Sequence, residues 1–111
     1  MAIFITQGRF TSQYVKGGIA APEDRRAAMS KLCEQVGGRL INLYYTLGQY
    51  DFALISGMPD ARSAAVLPLV FSAGDAATDA VTTQAFTTTE GKELFERAGQ
   101  IVGSYKPMGA T

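Results

Sequence analysis

The chain has 111 residues, ten Lys and Arg against ten Asp and Glu, and 47% hydrophobic residues. That length suits one hydrophobic core rather than two, so a single domain over residues 1–111 is expected, and the apolar content excludes a disordered chain. A formal net charge of zero leaves no basic excess to neutralise phosphates, which argues against nucleic acid as a partner and is compatible with self-association.

Ala2 to Gln7 is apolar and β-branched (Ile3, Phe4, Ile5, Thr6) and reads as a first strand. Thr11 or Ser12 can cap a helix, which is expected to run from Gln13 to about Lys16 and to stop at Gly17-Gly18, since each interior glycine costs about 1 kcal/mol. Pro22-Glu23-Asp24 reads as a second helical start, with proline at the first position and acids at the positive end of the helix dipole. Met29, Leu32, Cys33 and Val36 then fall at i, i+3, i+4 and i+7, one apolar stripe, and Gly37-Gly38 ends the helix.

Gly38 to Gly57 reads as a β-hairpin. Its first strand alternates, with Ile41, Leu43, Tyr45 and Leu47 on one face and Leu40, Asn42, Tyr44 and Thr46 on the other. The turn is Leu47-Gly48-Gln49-Tyr50. The second strand sets Tyr50, Phe52 and Leu54 opposite Asp51, Ala53 and Ile55.

Asp60 caps a helix over Ala61 to Ala73, with Val66, Leu69, Val70 and Ala73 as its expected buried stripe and a kink or shifted start at Pro68. Ala76 to Phe86 reads as a fourth strand. Thr87-x-x-Glu90 is a capping box that opens a terminal helix over Lys92 to Ala98. The order β-α-β-β-α-β, followed by a helix, is the split βαβ or ferredoxin-like plan: an α+β fold with a four-stranded antiparallel sheet and helices on one face. One face of that sheet would be left apolar and aromatic. A second copy covering it would give a dimeric α+β barrel.

These residues resemble the GYD family of small bacterial proteins. The likeness rests on Ile3-Phe4-Ile5-Thr6-Gln7-Gly8-Arg9-Phe10-Thr11, on Pro22-Glu23-Asp24-Arg25 and on Leu47-Gly48-Gln49-Tyr50-Asp51-Phe52, with one residue between the glycine and the tyrosine of the name motif. It spans roughly residues 2 to 100 and implies a ferredoxin-like fold and oligomerisation, without implying an activity. A looser likeness, in element order and in the Gly-x-Tyr-Asp turn, is to the effector-binding module of feast/famine regulators. In those proteins this turn lies at a subunit interface that binds small effectors. The present sequence lacks the helix-turn-helix that precedes that module.

The sequence contains no histidine and one cysteine, Cys33. The usual general base, the Ser-His and Cys-His pairs and the common zinc and haem ligands are therefore missing, and neither a metal nor a cofactor is expected. A single thiol suits a reducing cytosol, and neither a signal peptide nor an apolar run of about 20 residues is recognisable, so a cytoplasmic protein away from the membrane is expected. Cys33 reads as a core residue. Arg25 and Arg26 read as solvated or paired with Glu23 and Asp24. Gly17-Gly18 and Gly37-Gly38 lack the spacing of phosphate loops.

Two groups of residues are candidate ligand contacts. Tyr50 and Asp51 place a phenol beside a carboxylate at a strand start; the alternative is that they serve the turn and the core edge. Arg9, Tyr44, Tyr45, Thr46 and Gln84 would present polar tips to a cavity beneath the helices or between two sheets; the alternative is that the tyrosine rings are buried at an interface. Three functions fit: an oligomeric module binding a small molecule or a protein, a cofactor-independent monooxygenase- or isomerase-like enzyme, or a structural assembly unit.

Overall fold

The computed structural model describes residues 1–110. In chain order the elements are β1 (Ala2–Phe10), α1 (Ser12–Ala20), α2 (Arg26–Gln35), β2 (Arg39–Tyr45), β3 (Phe52–Met58), α3 (Ala61–Ala73), β4 (Ala77–Ala85) and α4 (Thr88–Ile101), with a 3-10 turn at Val102–Ser104. The four strands form one antiparallel sheet in the order β2-β3-β1-β4. This is the expected ferredoxin-like arrangement, with the terminal helix added.

Alternation along the two central strands sorts the side chains. Phe4 and Thr6 of β1 and Phe52, Leu54 and Ser56 of β3 are buried on one face, where Cys33 of α2 and Ala64, Leu67 and Phe71 of α3 close the core. Ile3, Ile5 and Gln7 point the other way, opposite Gly57, Ile55 and Ala53 of β3 and Ala85, Thr83 and Val81 of β4. That second face is made of half-buried and exposed side chains around the buried Gly57.

The local signals hold where a cap or a glycine sets them. Thr11 Oγ1 accepts the Tyr14 amide at 3.1 Å, Asp60 Oδ1 accepts the Ser63 amide at 2.8 Å, and both bonds of the Thr87–Glu90 capping box form. After α2, Gly37 takes φ +82° and the Gly38 amide reaches back to the Cys33 carbonyl at 3.0 Å, ending the helix as a left-handed glycine allows. Met29, Leu32, Cys33 and Val36 all join the core as their spacing predicts.

Four expectations need correction. The first helix does not stop at Gly17-Gly18; α1 runs through both to Ala20. The second begins at Arg26 rather than at Pro22. In β2 the strict alternation fails at a bulge between Leu40 and Asn42, so Leu40 joins Leu43 and Tyr45 on the helix side while Tyr44 stays on the opposite face. The register with β3 overrides period-two patterning there.

The fourth correction concerns α3, which buries Ala64, Leu67 and Phe71, while Val66, Leu69 and Val70 are exposed. A helix apolar nearly all round offers several equivalent stripes, and only its docking against β3 and β4 selects one. Pro68 lies inside α3, which continues as one element across it.

Candidate ligand-binding site

β1 ends at Phe10, and Thr11 turns the chain directly into α1. Thr11 anchors this corner three ways: its amide donates to the Ala76 carbonyl at 3.0 Å, its hydroxyl donates to the Asp75 carbonyl at 2.6 Å, and the same oxygen caps α1. The cap places Tyr14 one turn beyond Phe10, and the two rings stack at 4.6 Å. Phe10 also meets Tyr45 edge-on at 5.1 Å and stacks on Phe52 at 5.5 Å, and Phe52 meets Phe71 edge-on at 6.0 Å. An aromatic column therefore runs from the core up to α1.

At its top the Tyr14 and Tyr45 hydroxyls lie 3.0 Å apart in a hydrogen bond. Arg25, just before α2, pairs with Glu23, and this bond raises the guanidinium pKa. Arg25 Nε is buried and has no hydrogen-bond partner among the described residues. Beneath the phenols is a small apolar cavity of about 70 Å³ between Phe10, Met29, Leu43, Phe52 and Phe71. It shares Phe10, Tyr14, Arg25 and Tyr45 with a wider cleft of about 640 Å³ under α1. The cleft is within the size range of small-molecule sites, and the combination of an apolar lining with a few converging polar tips is typical of them.

Partial burial, reinforced by the hydrogen bond shared with Tyr14, pushes the Tyr45 pKa up to about 12. The residue as a whole is 58% exposed, so only part of it is shielded from water. Tyr45 therefore stays protonated near neutrality. One phenol O–H is used inside the pair, leaving the other free to donate outward.

The residues singled out from the sequence lie in three places. Thr46, Tyr50 and Asp51 share the hairpin turn: Thr46 Oγ1 donates to the Tyr50 carbonyl at 2.7 Å, and the Asp51 carboxylate accepts the Phe10 amide at 2.9 Å. Asp51 thus braces the strand that carries the aromatic column. Arg9 and Tyr44 lie on the sheet face opposite the helices, where the Tyr44 hydroxyl accepts from the Asn42 amide. Gln84 pairs with Phe4, several residues along the sheet from the turn. Arg9, Tyr44 and Gln84 therefore do not converge with Tyr45 in one cavity.

Tyr14 is not among the residues singled out from the sequence, whereas the expected pairing of Arg25 with Glu23 forms. An i, i+4 aromatic pair, Phe10 and Tyr14, straddling a Thr cap was the available signal for Tyr14. Among the described residues, no three His, Cys, Asp or Glu side chains cluster as metal ligands.

The GYD domain family model matches residues 4–95, most of the chain. The chain belongs to the GYD domain family. No curated protein and no solved structure matches it. Within this GYD domain, the motif Gly48-Gln49-Tyr50-Asp51 is the β2–β3 turn, and its aspartate holds the corner from which the aromatic site is built. The family match runs from Phe4, inside β1, through β4 and ends at Phe95, inside α4. Among the described residues, no helix is long and apolar enough to cross a membrane.

Proposed function

We propose that this GYD domain is a cytoplasmic small-molecule-binding module that self-associates through the open face of its sheet. Its ligand has a planar apolar body and one acceptor group, such as a carboxylate or carbonyl. The observation that carries this reading is the Tyr14–Tyr45 phenol pair beside the Arg25 guanidinium, together lining a cleft floored by aromatic rings. The rings suit a flat apolar body, and the free phenol O–H and the guanidinium suit an acceptor.

A binding role is favoured over proton abstraction by Tyr45. A tyrosine acting as a base near neutral pH needs a lowered pKa, whereas Tyr45 is shifted upward. The open sheet face, with Ile3, Ile5, Ile55 and Val81 on neighbouring strands, supports self-association.

The test is titration with a planar aromatic carboxylate, 1-naphthoate. Gly17 lines the cleft, and nothing lies within 4 Å of where its Cβ would be. Gly17→Leu is therefore expected to project into the cleft and weaken binding without unfolding the protein. Tyr14→Phe removes one hydroxyl of the pair and should weaken binding about fivefold, the value of one hydrogen bond of about 1 kcal/mol. Equal affinity in wild type and both variants would reject this site.

A further inference from the structure

α4 has 14 residues, none of them buried, and its appreciable packing is against the 3-10 turn that continues it. It is nevertheless sharply two-faced. Leu94, Phe95, Ala98, Ile101 and Val102 follow one another at helical spacing, and Leu94, Phe95, Ile101 and Val102 are all exposed, Phe95 at 82%. Lys92 and Glu96 pair on the polar side. A helix with this pattern is built to pack, and among the described residues none of its side chains is buried.

The dimensions carry the same message. A compact chain of this length has a radius of gyration of about 13 Å, whereas this one measures 18.3 Å, with a long axis of 65 Å. A compact monomer of 11.8 kDa exposes about 5,900 Å². This chain exposes 7911 Å², an excess of about 2,000 Å². Removing that excess from each of two chains gives the burial of an obligate homodimer, about 2,000–5,000 Å² in total.

We propose that α4 is an intermolecular arm, whose apolar stripe packs against a second copy of this chain. This goes beyond the ligand site, and it extends the proposed sheet-face pairing with a separate contact rooted at the end of β4. Charge favours a second copy over a lipid surface. Within α4 two basic residues, Lys92 and Arg97, face three acidic ones, Glu90, Glu93 and Glu96, whereas helices that lie on membranes are rich in Lys and Arg.

The experiment is sedimentation velocity on the full chain, its Phe95→Glu/Ile101→Glu variant and a Val81→Glu variant of the sheet face. All three side chains are exposed within one chain, so the substitutions leave the subunit fold intact, as circular dichroism will verify. Wild type is expected to sediment at twice the chain mass, and the arm variant at the chain mass. A photo-crosslinker replacing Phe95, in a mixture of ¹⁴N- and ¹⁵N-labelled chains refolded together, should join unlike chains.

A dimer lost on Val81→Glu but kept by the arm variant would overturn the arm and leave the sheet-face pairing standing. A monomeric wild type would overturn both. Crosslinks confined to single chains would overturn the arm, as would a monomer that floats with phosphatidylglycerol vesicles through the same stripe.

Discussion

The Asp51 carboxylate accepts the Phe10 amide at 2.9 Å, and the Asp51 amide donates to the Gly8 carbonyl at 2.8 Å. Through these two bonds the hairpin turn grips the end of β1, at the point where the chain enters α1. The position of Phe10, and through it the stacking of Tyr14, depends on that grip. Asp51→Ala leaves a half-buried amide without its acceptor and is expected to cost about 1–3 kcal/mol. Urea denaturation reads the loss directly; an unchanged midpoint would mean that the brace contributes nothing to stability.

Gly38 is a steric requirement. A Cβ there would meet the Met58 sulfur and lie 2.6 Å from the Gly57 carbonyl oxygen. The backbone of β3 cannot retreat without disturbing the core around Met58, which is fully buried. Gly38→Ala is expected to destabilise by about 1–3 kcal/mol, as overpacking does. Gly18→Ala, in open space on α1, should be neutral or stabilising. Thermal melts of the pair give the contrast.

Ser56 sits in the core at 1% exposure, and its hydroxyl has no partner among the described residues. A buried hydroxyl without a hydrogen bond is a net cost. Ser56→Ala should therefore raise stability by about 1 kcal/mol, where most core substitutions lower it. A fall in the urea midpoint would refute this account of the site.

Tyr45 makes stability depend on pH in the alkaline range. Its folded pKa, about 12, lies above the ordinary tyrosine value of 10.0. The folded state therefore favours the protonated phenol. That contribution is complete below pH 10.0 and is lost as pH rises toward about 12. Absorbance titration at the tyrosinate band should show a late step that is missing from Tyr45→Phe. In Tyr14→Phe the step should move to lower pH, because one of its causes is gone while loss of solvent remains.

What the sequence determined by itself was local. The caps at Thr11, Asp60 and Thr87, the glycine stop after α2 and the apolar stripe of α2 each act within a few residues, so element order and the ferredoxin-like plan could be read from them. Only the tertiary structure decided the rest. The β2 bulge depends on register with β3, the buried stripe of α3 on the sheet beneath it, and the Tyr14–Tyr45 bond on two residues 31 positions apart. Spacing in one segment carries no information about such contacts, because they form only when strand pairing brings distant segments to the same corner. Helix α4 follows the same logic: the sequence marks it as two-faced, but only the folded chain reveals that its apolar side stays exposed among the described residues.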